Sequence, residues 1–183
     1  TCNQTKHACS GHFGSIRLTE PVYHISWIAH LLRKLKKFDG KFTYDKQKAS
    51  VLKDGELFPA SECFLLMADP PVISVIPVPP PQVRPPLFVD GTLRGENDLT
   101  YRLQNVIRKN RQLEKVIRCK RPKEIVDQAR EALQNAVTGY ISHEKLGPTR
   151  RMRNKREYAS LESRITKKGG RIRSNLMGKR ANL

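Results

Sequence analysis

Apolar residues recur at helical spacing in two neighbouring stretches of the chain. The first stretch has intervals of four and three residues: Leu99, Leu103, Val106, Asn110, Leu113 and Ile117. The second has intervals of three and four: Val126, Ala129, Leu133, Ala136 and Tyr140. Asn97 is a preferred helix N-cap, and Pro122 suits the first turn of the return helix. The pattern predicts an antiparallel helical hairpin of about five to six turns each way, with Asn110 fixing its register.

Shorter patterns precede the hairpin. Residues Ile16–Tyr23 alternate, and Val72–Val78 are rich in β-branched side chains, so both predict strands. Between them, His24–Lys37 has apolar positions at helical spacing and predicts a core helix. Residues 41–60 are mostly polar and carry little signal. Cys63 lies in an apolar Cys-Phe-Leu-Leu stretch, which indicates a lone buried thiol.

The charge of the chain changes this picture. The 183 residues include 35 Lys and Arg against 17 Asp and Glu, a net charge of +18. Such an excess indicates a polyanionic partner, nucleic acid before an anionic membrane. Residues 145–183 carry 13 of the basic residues and only two acids. A hydrophobic content of 38% predicts a modest core or one shared with other chains. No apolar run is long enough to span a membrane.

Two basic clusters lie in this carboxyl-terminal stretch. Residues 149–156 read TRRMRNKR, a composition that also occurs in nuclear localisation signals and ribosomal-protein arms. Residues 167–180 read KKGGRIRSNLMGKR, in which glycines flank alternating basic and apolar residues. Glycine allows close backbone approach and arginine grips phosphates, so this run predicts an extended loop on a nucleic-acid backbone. A solvated basic tail has the same composition.

The amino-terminal residues suggest a metal site. Cys9 and His12 form a Cys-x₂-His pair at a glycine turn, which suits two ligands of a tetrahedral zinc, and Cys2 is a candidate third ligand. A fourth ligand is not visible, and a loop with free thiols and a surface histidine is the alternative. The four cysteines, at positions 2, 9, 63 and 119, do not form a disulfide-framework pattern and indicate a reducing compartment.

Several of these stretches, in this order, resemble the largest subunit of multisubunit DNA-directed RNA polymerases. They are CSGHFGSIRLTEPVYH, PVPPPQVRP, the helical hairpin, the basic cluster and GRIRSNLMGKR. The resemblance implies an α+β fragment with a zinc knuckle, short strands, a helical hairpin and extended basic loops. The implied parts are zinc-binding clamp core (1–37), clamp-core strands and connector (38–76), proline motif and lid (77–97), clamp helices (98–143), rudder region (144–166) and switch 2 (167–183).

The resemblance also implies site residues. The nucleic-acid-binding candidates are Arg150, Arg151 and Arg153 in the rudder region, and Lys168, Arg171, Arg173, Lys179 and Arg180 in switch 2. Cys2, Cys9 and His12 match the second, third and fourth ligands of a structural zinc, and the first ligand is absent. Two departures concern switch 2: Ser174 stands where the family has glycine, and Ala181-Asn182-Leu183 replaces Val-Asp-Phe.

The activity implied is template-directed nucleotidyl transfer. The family's catalytic motif, Asn-Ala-Asp-Phe-Asp-Gly-Asp, does not occur in these 183 residues, so we expect the catalytic Mg²⁺ to be held elsewhere in the full enzyme. The implied partners are template DNA, the DNA–RNA hybrid, the second-largest and smaller polymerase subunits, and initiation or elongation factors on the hairpin. The RNA polymerase II-like form of GRIRSNLMGKR favours a eukaryotic or large-DNA-virus origin, hence a nucleus, viral factory or virion.

Other interpretations of the sequence remain open. The family usually has a much longer insert with a second zinc site before the proline motif, and its cysteine pairs are absent here. The start without methionine and the end inside a motif suggest a piece of a longer chain. A stand-alone basic zinc protein of ribosomal type is the main alternative. A third is an SH3-type ligand in residues 77–86.

Overall fold

The computed structural model describes residues 9, 11–38, 40–47, 49–68, 70–89, 93–145, 158–166 and 170–178. Over these residues the chain is α+β, with small antiparallel sheets and two long helices. The strands are β1 Gly14–Tyr23, β2 Phe42–Asp45, β3 Ser50–Lys53, β4 Glu56–Leu57, β5 Val72–Val78, β6 Leu87–Val89 and β7 Leu93–Gly95. The α-helices are α1 Ile28–Leu35, α2 Cys63–Leu66, α3 Asp98–Arg118, α4 Lys123–Ile141 and α5 Leu161–Thr166.

Helices α3 and α4 form the predicted antiparallel hairpin. Its seam consists of residues that are at most 7% exposed: Leu99, Leu103, Val106, Leu113, Ala129, Leu133, Ala136 and Tyr140. Asn97 is the N-cap of α3, because its side chain accepts the Leu99 N–H at 3.1 Å. Ile117 is 37% exposed, so the seam ends before the tip. The prediction of a hairpin is therefore confirmed.

Asn110 contacts a different element from the one expected. The Thr19 N–H donates to Asn110 Oδ1 at 2.8 Å, and Asn110 Nδ2 donates to the Arg17 carbonyl at 3.1 Å. These backbone groups belong to β1, which pairs with β5 except for an irregularity between Arg17 and Val22. Backbone groups that a ladder does not pair bond to side chains or to water. Asn110 therefore fixes the hairpin on β1 rather than α3 on α4.

Helix α4 makes the equivalent contacts further along β1. The Tyr23 N–H donates to Gln134 Oε1 at 2.8 Å, and Gln134 Nε2 donates to the Tyr23 carbonyl at 3.0 Å. Arg130 forms a bidentate pair with Glu20 at 2.6 and 2.9 Å and also bonds Asp127 at 2.9 Å. These bonds, above all the one to Glu20, raise the pKa of Arg130 above its ordinary value. The hairpin is thus fixed to β1 by three polar side chains.

Residues 41–60, which carry little sequence signal, form the sheet β2-β3-β4. This sheet packs with α1 and Tyr23 into a second apolar cluster. Cys63 is fully buried there, its thiol 3.6 Å from Tyr23 Oη, which donates to the Phe58 carbonyl at 2.7 Å. Burial raises the pKa of the Cys63 thiol. The predicted burial of Cys63 is confirmed, as are strands β1 and β5 and the core helix, here shortened to α1.

A membrane span was not expected from the sequence. Among the helices of the described residues, each is too short or too polar to cross a bilayer.

Replacing Gln134 by Leu is expected to lower the free energy of unfolding by about 2–4 kcal/mol, since it leaves the buried N–H and C=O of Tyr23 unpaired. Gln128→Leu, at an exposed position of the same helix, is the matched control, with an expected change within about 0.5 kcal/mol. Urea unfolding of both variants measures the difference. Equal stabilities would show that the amide does not anchor β1.

Candidate nucleic-acid interface

The described part of the basic carboxyl-terminal run is a helical turn, whereas the sequence predicted an extended loop. Residues Ile172–Leu176 form one π-type turn that follows Arg171. The Ser174 N–H and hydroxyl both donate to the Gly170 carbonyl, at 3.0 and 2.7 Å. The Met177 N–H donates to the Ile172 carbonyl at 2.9 Å. The hydroxyl of Ser174, at a position where the resemblance implies glycine, helps to close this turn.

The turn presents charged and apolar side chains to solvent together. Arg171 and Arg173 are exposed, and Leu176 and Met177 are 79% and 81% exposed. The other candidates for nucleic-acid binding lie outside the described residues: Arg150, Arg151, Arg153, Lys168, Lys179 and Arg180. The structure therefore places two of the eight predicted basic residues, and it places both on one turn. Their assignment to a nucleic acid stays a prediction.

Helix α5 precedes this turn and is capped by two serines. The Ser160 N–H donates to Ser163 Oγ at 2.9 Å, and the Ser163 N–H donates to Ser160 Oγ at 3.3 Å. This reciprocal pair resembles a capping box, with serine in place of the usual acid or amide. Ser160 Oγ also lies 3.0 Å from His143 Nδ1, just after the hairpin. The start of α5 is thereby held near the end of α4.

Further contacts hold the α5 segment to the start of α3. The Ala159 N–H donates to Asp98 Oδ2 at 3.1 Å, and Arg102 Nη2 donates to the Tyr158 carbonyl at 2.7 Å. The rings of Tyr101 and Tyr158 are stacked, with centroids 4.9 Å apart. Sequence reasoning identified the N-cap at Asn97 but missed these partners, because they are about sixty residues away.

Arginines also connect the proline motif to these helices. Arg84 donates to the Pro79 carbonyl and to Thr100 Oγ1, both at 3.1 Å. Arg164 of α5 donates from Nη1 to the Val83 carbonyl at 3.2 Å and from Nη2 to Asn97 Oδ1 at 2.8 Å. The proline motif, the start of α3 and α5 thus meet at one junction.

The proline motif is partly buried and does not form a continuous polyproline helix. Pro79 and Pro80 are buried, and Pro81–Val83 form a 3₁₀ turn. An SH3 ligand requires an accessible polyproline helix, so this geometry argues against that alternative. The segment predicted as a lid loop contains a two-stranded ribbon, in which Leu87 of β6 pairs with Gly95 of β7.

The predicted metal ligands are partly described. Cys9 Sγ lies 3.5 Å from His12 Nε2, and the Gly11 N–H donates to Cys9 Sγ at 3.3 Å. Zinc–ligand bonds of about 2.3 Å to sulfur and 2.0–2.1 Å to nitrogen in a tetrahedron separate those atoms by about 3.5 Å. The pair therefore fits one zinc. Cys2 lies outside the described residues, and those residues contain no cluster of three or more metal-binding side chains.

This knuckle, Cys9 to His12, packs closely on the proline motif. Gln82 Nε2 donates to the Cys9 carbonyl at 3.2 Å. Gly11 has φ +89°, and a Cβ there would lie 2.3 Å from Gln82 Oε1 and 2.6 Å from Pro80 Cβ. Glycine is thus required at position 11 both by its conformation and by the close approach.

Comparison with known proteins identifies the chain. Residues 69–176, more than half of it, match the family model described as RNA polymerase Rpb1, domain 1. The chain belongs to this family. The match covers the proline motif, the β6–β7 ribbon, the hairpin, α5 and the turn with Arg171 and Arg173. The chain is therefore the amino-terminal part of a largest RNA polymerase subunit, as the resemblance implied.

Individual relatives are archaeal proteins named DNA-directed RNA polymerase subunit Rpo1N. The chain is 41% identical to that of Methanothermobacter thermautotrophicus over 112 residues, 61% of this chain and 13% of the relative. It is 28% identical to that of Methanocaldococcus jannaschii over 259 aligned positions, covering 100% of this chain and 19% of the relative. Because that alignment is longer than the chain, the relative has residues without a counterpart here. The chain spans less than a third of the length of these relatives.

Gly11→Ala is expected to destabilise the chain more than Gly55→Ala. Both glycines have positive φ, +89° and +93°, so both variants carry the same backbone cost of about 1–2 kcal/mol. Nothing lies within 4 Å of a Cβ at Gly55, whereas a methyl group added at Gly11 must displace Gln82 and Pro80, at a further cost of about 1–3 kcal/mol. Denaturant unfolding compares the two. Equal losses of stability would contradict the packing of the knuckle on the proline motif.

Proposed function

We propose that this chain forms the clamp core, lid, rudder and switch 2 of a largest RNA polymerase subunit, where it holds template DNA and the DNA–RNA hybrid. The observation that carries the proposal is the basic turn with exposed Arg171 and Arg173. This turn lies inside the region that matches the family model. Exposed guanidinium groups suit phosphate contacts, and phosphate contacts dominate nucleic-acid affinity.

The junction at the start of α3 supports the same proposal. It joins α5 to the proline motif, which precedes the β6–β7 ribbon proposed as the lid, and to Asn97, two residues after that ribbon. Arg171 lines one cleft with Pro85 and Asn97, which flank the ribbon, so a nucleic acid bound at the basic turn would lie near the ends of the ribbon. Such an arrangement suits the separation of RNA from template better than a flexible basic tail does. The ribosomal-type alternative gains no support from the family match.

The chemical step belongs, in this proposal, to the assembled enzyme. The relatives are named as subunits of DNA-directed RNA polymerase, which transfers nucleotides. We propose that the catalytic Mg²⁺ is bound outside these residues, and that the second-largest subunit and smaller subunits complete the enzyme. The outer faces of α3 and α4 are proposed to dock initiation or elongation factors. The eukaryotic or viral origin, and with it a nuclear or viral-factory location, stays a prediction beside the archaeal relatives.

A structural zinc is proposed at the knuckle. Cys9 and His12 have the separation that one zinc requires, and Cys2 is the further candidate. Bound zinc would cross-link the segment before β1, supplying folding free energy rather than chemistry. Gln82 bonds the Cys9 carbonyl, so order at the knuckle supports order in the proline motif.

Replacing Arg171 and Arg173 together by Ala is expected to weaken binding to a fluorescent DNA–RNA hybrid duplex. The slope of log K against log salt should flatten by about 0.9 for each phosphate that the variant no longer neutralises. Arg108→Ala with Arg111→Ala, two exposed positions of α3, gives the same change in net charge as a control. An unchanged slope in the first variant would contradict the phosphate contacts.

Cys9→Ser is expected to remove bound zinc and to increase amide hydrogen exchange of residues 11–14 and of Gln82 and Val83, because the metal cross-links the knuckle. Cys119→Ser, at the exposed tip of the hairpin, is the control and should retain zinc. Native mass spectrometry of the purified polymerase measures the zinc content. Full zinc occupancy and unchanged exchange in the Cys9 variant would refute the metal site.

A further inference from the structure

Arg164 connects two segments that are distant in sequence. One guanidinium nitrogen donates to the Val83 carbonyl in the proline motif and another donates to Asn97 Oδ1. The same oxygen of Asn97 accepts the Leu99 N–H as the cap of α3. A single side chain on α5 is thereby bonded to the proline motif and to the start of the hairpin.

The junction does not need Arg164 to hold its other two parts together. Arg84 already joins the proline motif to α3, through the Pro79 carbonyl and Thr100. What Arg164 adds is a direct bond from α5 to the proline motif, beside the bonds that Tyr158 and Ala159 make with α3. Its planar fork of donors can reach both acceptors at once, whereas an ammonium group has no such fixed geometry.

Helix α5 in turn contacts the basic turn. Thr166 ends α5, Ile172 begins the π-type turn, and the two elements are in contact. Arg164, Arg171 and Ser174 also line one cleft, together with Val83 and Asn97. Displacement of α5 is therefore expected to change this cleft and the position of Arg171 relative to the proline motif.

We propose that Arg164 is a positioning residue for the nucleic-acid contact. It is not in contact with phosphates itself. It sets where Arg171 and Arg173 contact the phosphate backbone of the nucleic acid, relative to the β6–β7 ribbon. This ribbon begins after the proline motif and ends two residues before Asn97. This inference rests on the proposed function of the basic turn.

A double-mutant cycle tests it. The equilibrium affinity for a fluorescent DNA–RNA hybrid duplex is measured for Arg164→Ala, for Arg171→Ala with Arg173→Ala, and for all three changes together. Arg164→Ala alone should weaken binding by about tenfold. In the background that lacks Arg171 and Arg173 it should have no further effect, because the residue acts through them. Arg164→Lys should bind as weakly as Arg164→Ala, although it keeps the charge.

Two outcomes of the cycle would overturn the inference. An equal weakening in both backgrounds means that Arg164 contacts phosphate directly. Restoration of affinity by Arg164→Lys means that its charge alone matters. A lack of effect of Arg171→Ala with Arg173→Ala, by contrast, contradicts the proposed function itself, so the two failures are distinguishable.

A second pair of variants tests the same bond from its other end, without removing Arg164. Asn97→Ser retains a good N-cap for α3 but is too short to keep the bond to Arg164. Asn97→Asp retains both the cap and the bond. The serine variant should bind the hybrid about tenfold more weakly at a near-parental unfolding midpoint, and the aspartate variant should bind like the parent. Equal affinities of the serine variant and the parent would overturn the inference.

Discussion

The described fold depends on how the two long helices bond the backbone of β1, in and next to the stretch where β1 and β5 lose register. Between Arg17 and Val22 the two strands lose register, and the N–H and C=O of Tyr23, just beyond this irregularity, are buried and bonded by Gln134. A buried peptide group without a partner is costly. Asn110 and Gln134, one from each long helix, bond β1 at Thr19 and at Tyr23. The irregular strand therefore positions the hairpin. The apolar seam lies between α3 and α4, so the outer faces of the hairpin can carry charged residues.

A second junction builds on this frame and gives the basic turn its place. Asn97 caps α3 and also bonds Arg164, so the beginning of the hairpin and the attachment of α5 share one amide oxygen. The knuckle reaches the same region from the other side, through Gln82 and the Cys9 carbonyl. Segments from both ends of the chain thus converge on the proline motif. Its buried prolines form a rigid contact surface for these segments, because proline fixes its own φ and has little conformational freedom to lose.

Sequence reasoning succeeded where the signal is local. The hairpin was predictable because its apolar spacing extends over about five turns of each helix. The sheet β2-β3-β4 was not, because strands of two to four residues are too short to show alternation. The basic turn was predicted as extended since its glycines and alternating pattern suggest it, and the bond from the Ser174 hydroxyl to Gly170 is invisible to propensity. The bond from Arg164 to Asn97 spans 67 residues, beyond the reach of any local pattern.

The attachment of the hairpin to β1 has a mechanical consequence. A helix of 21 residues is about 31 Å long, and Asn110 fixes α3 near its middle. The hairpin is therefore held to β1 along its length and not only at its base, so it cannot pivot at its base independently of the strand. A lateral force on its tip at Cys119 produces a torque on β1. Because β1 begins at Gly14, two residues after His12, a displacement of the hairpin is expected also to displace the strand that follows the knuckle.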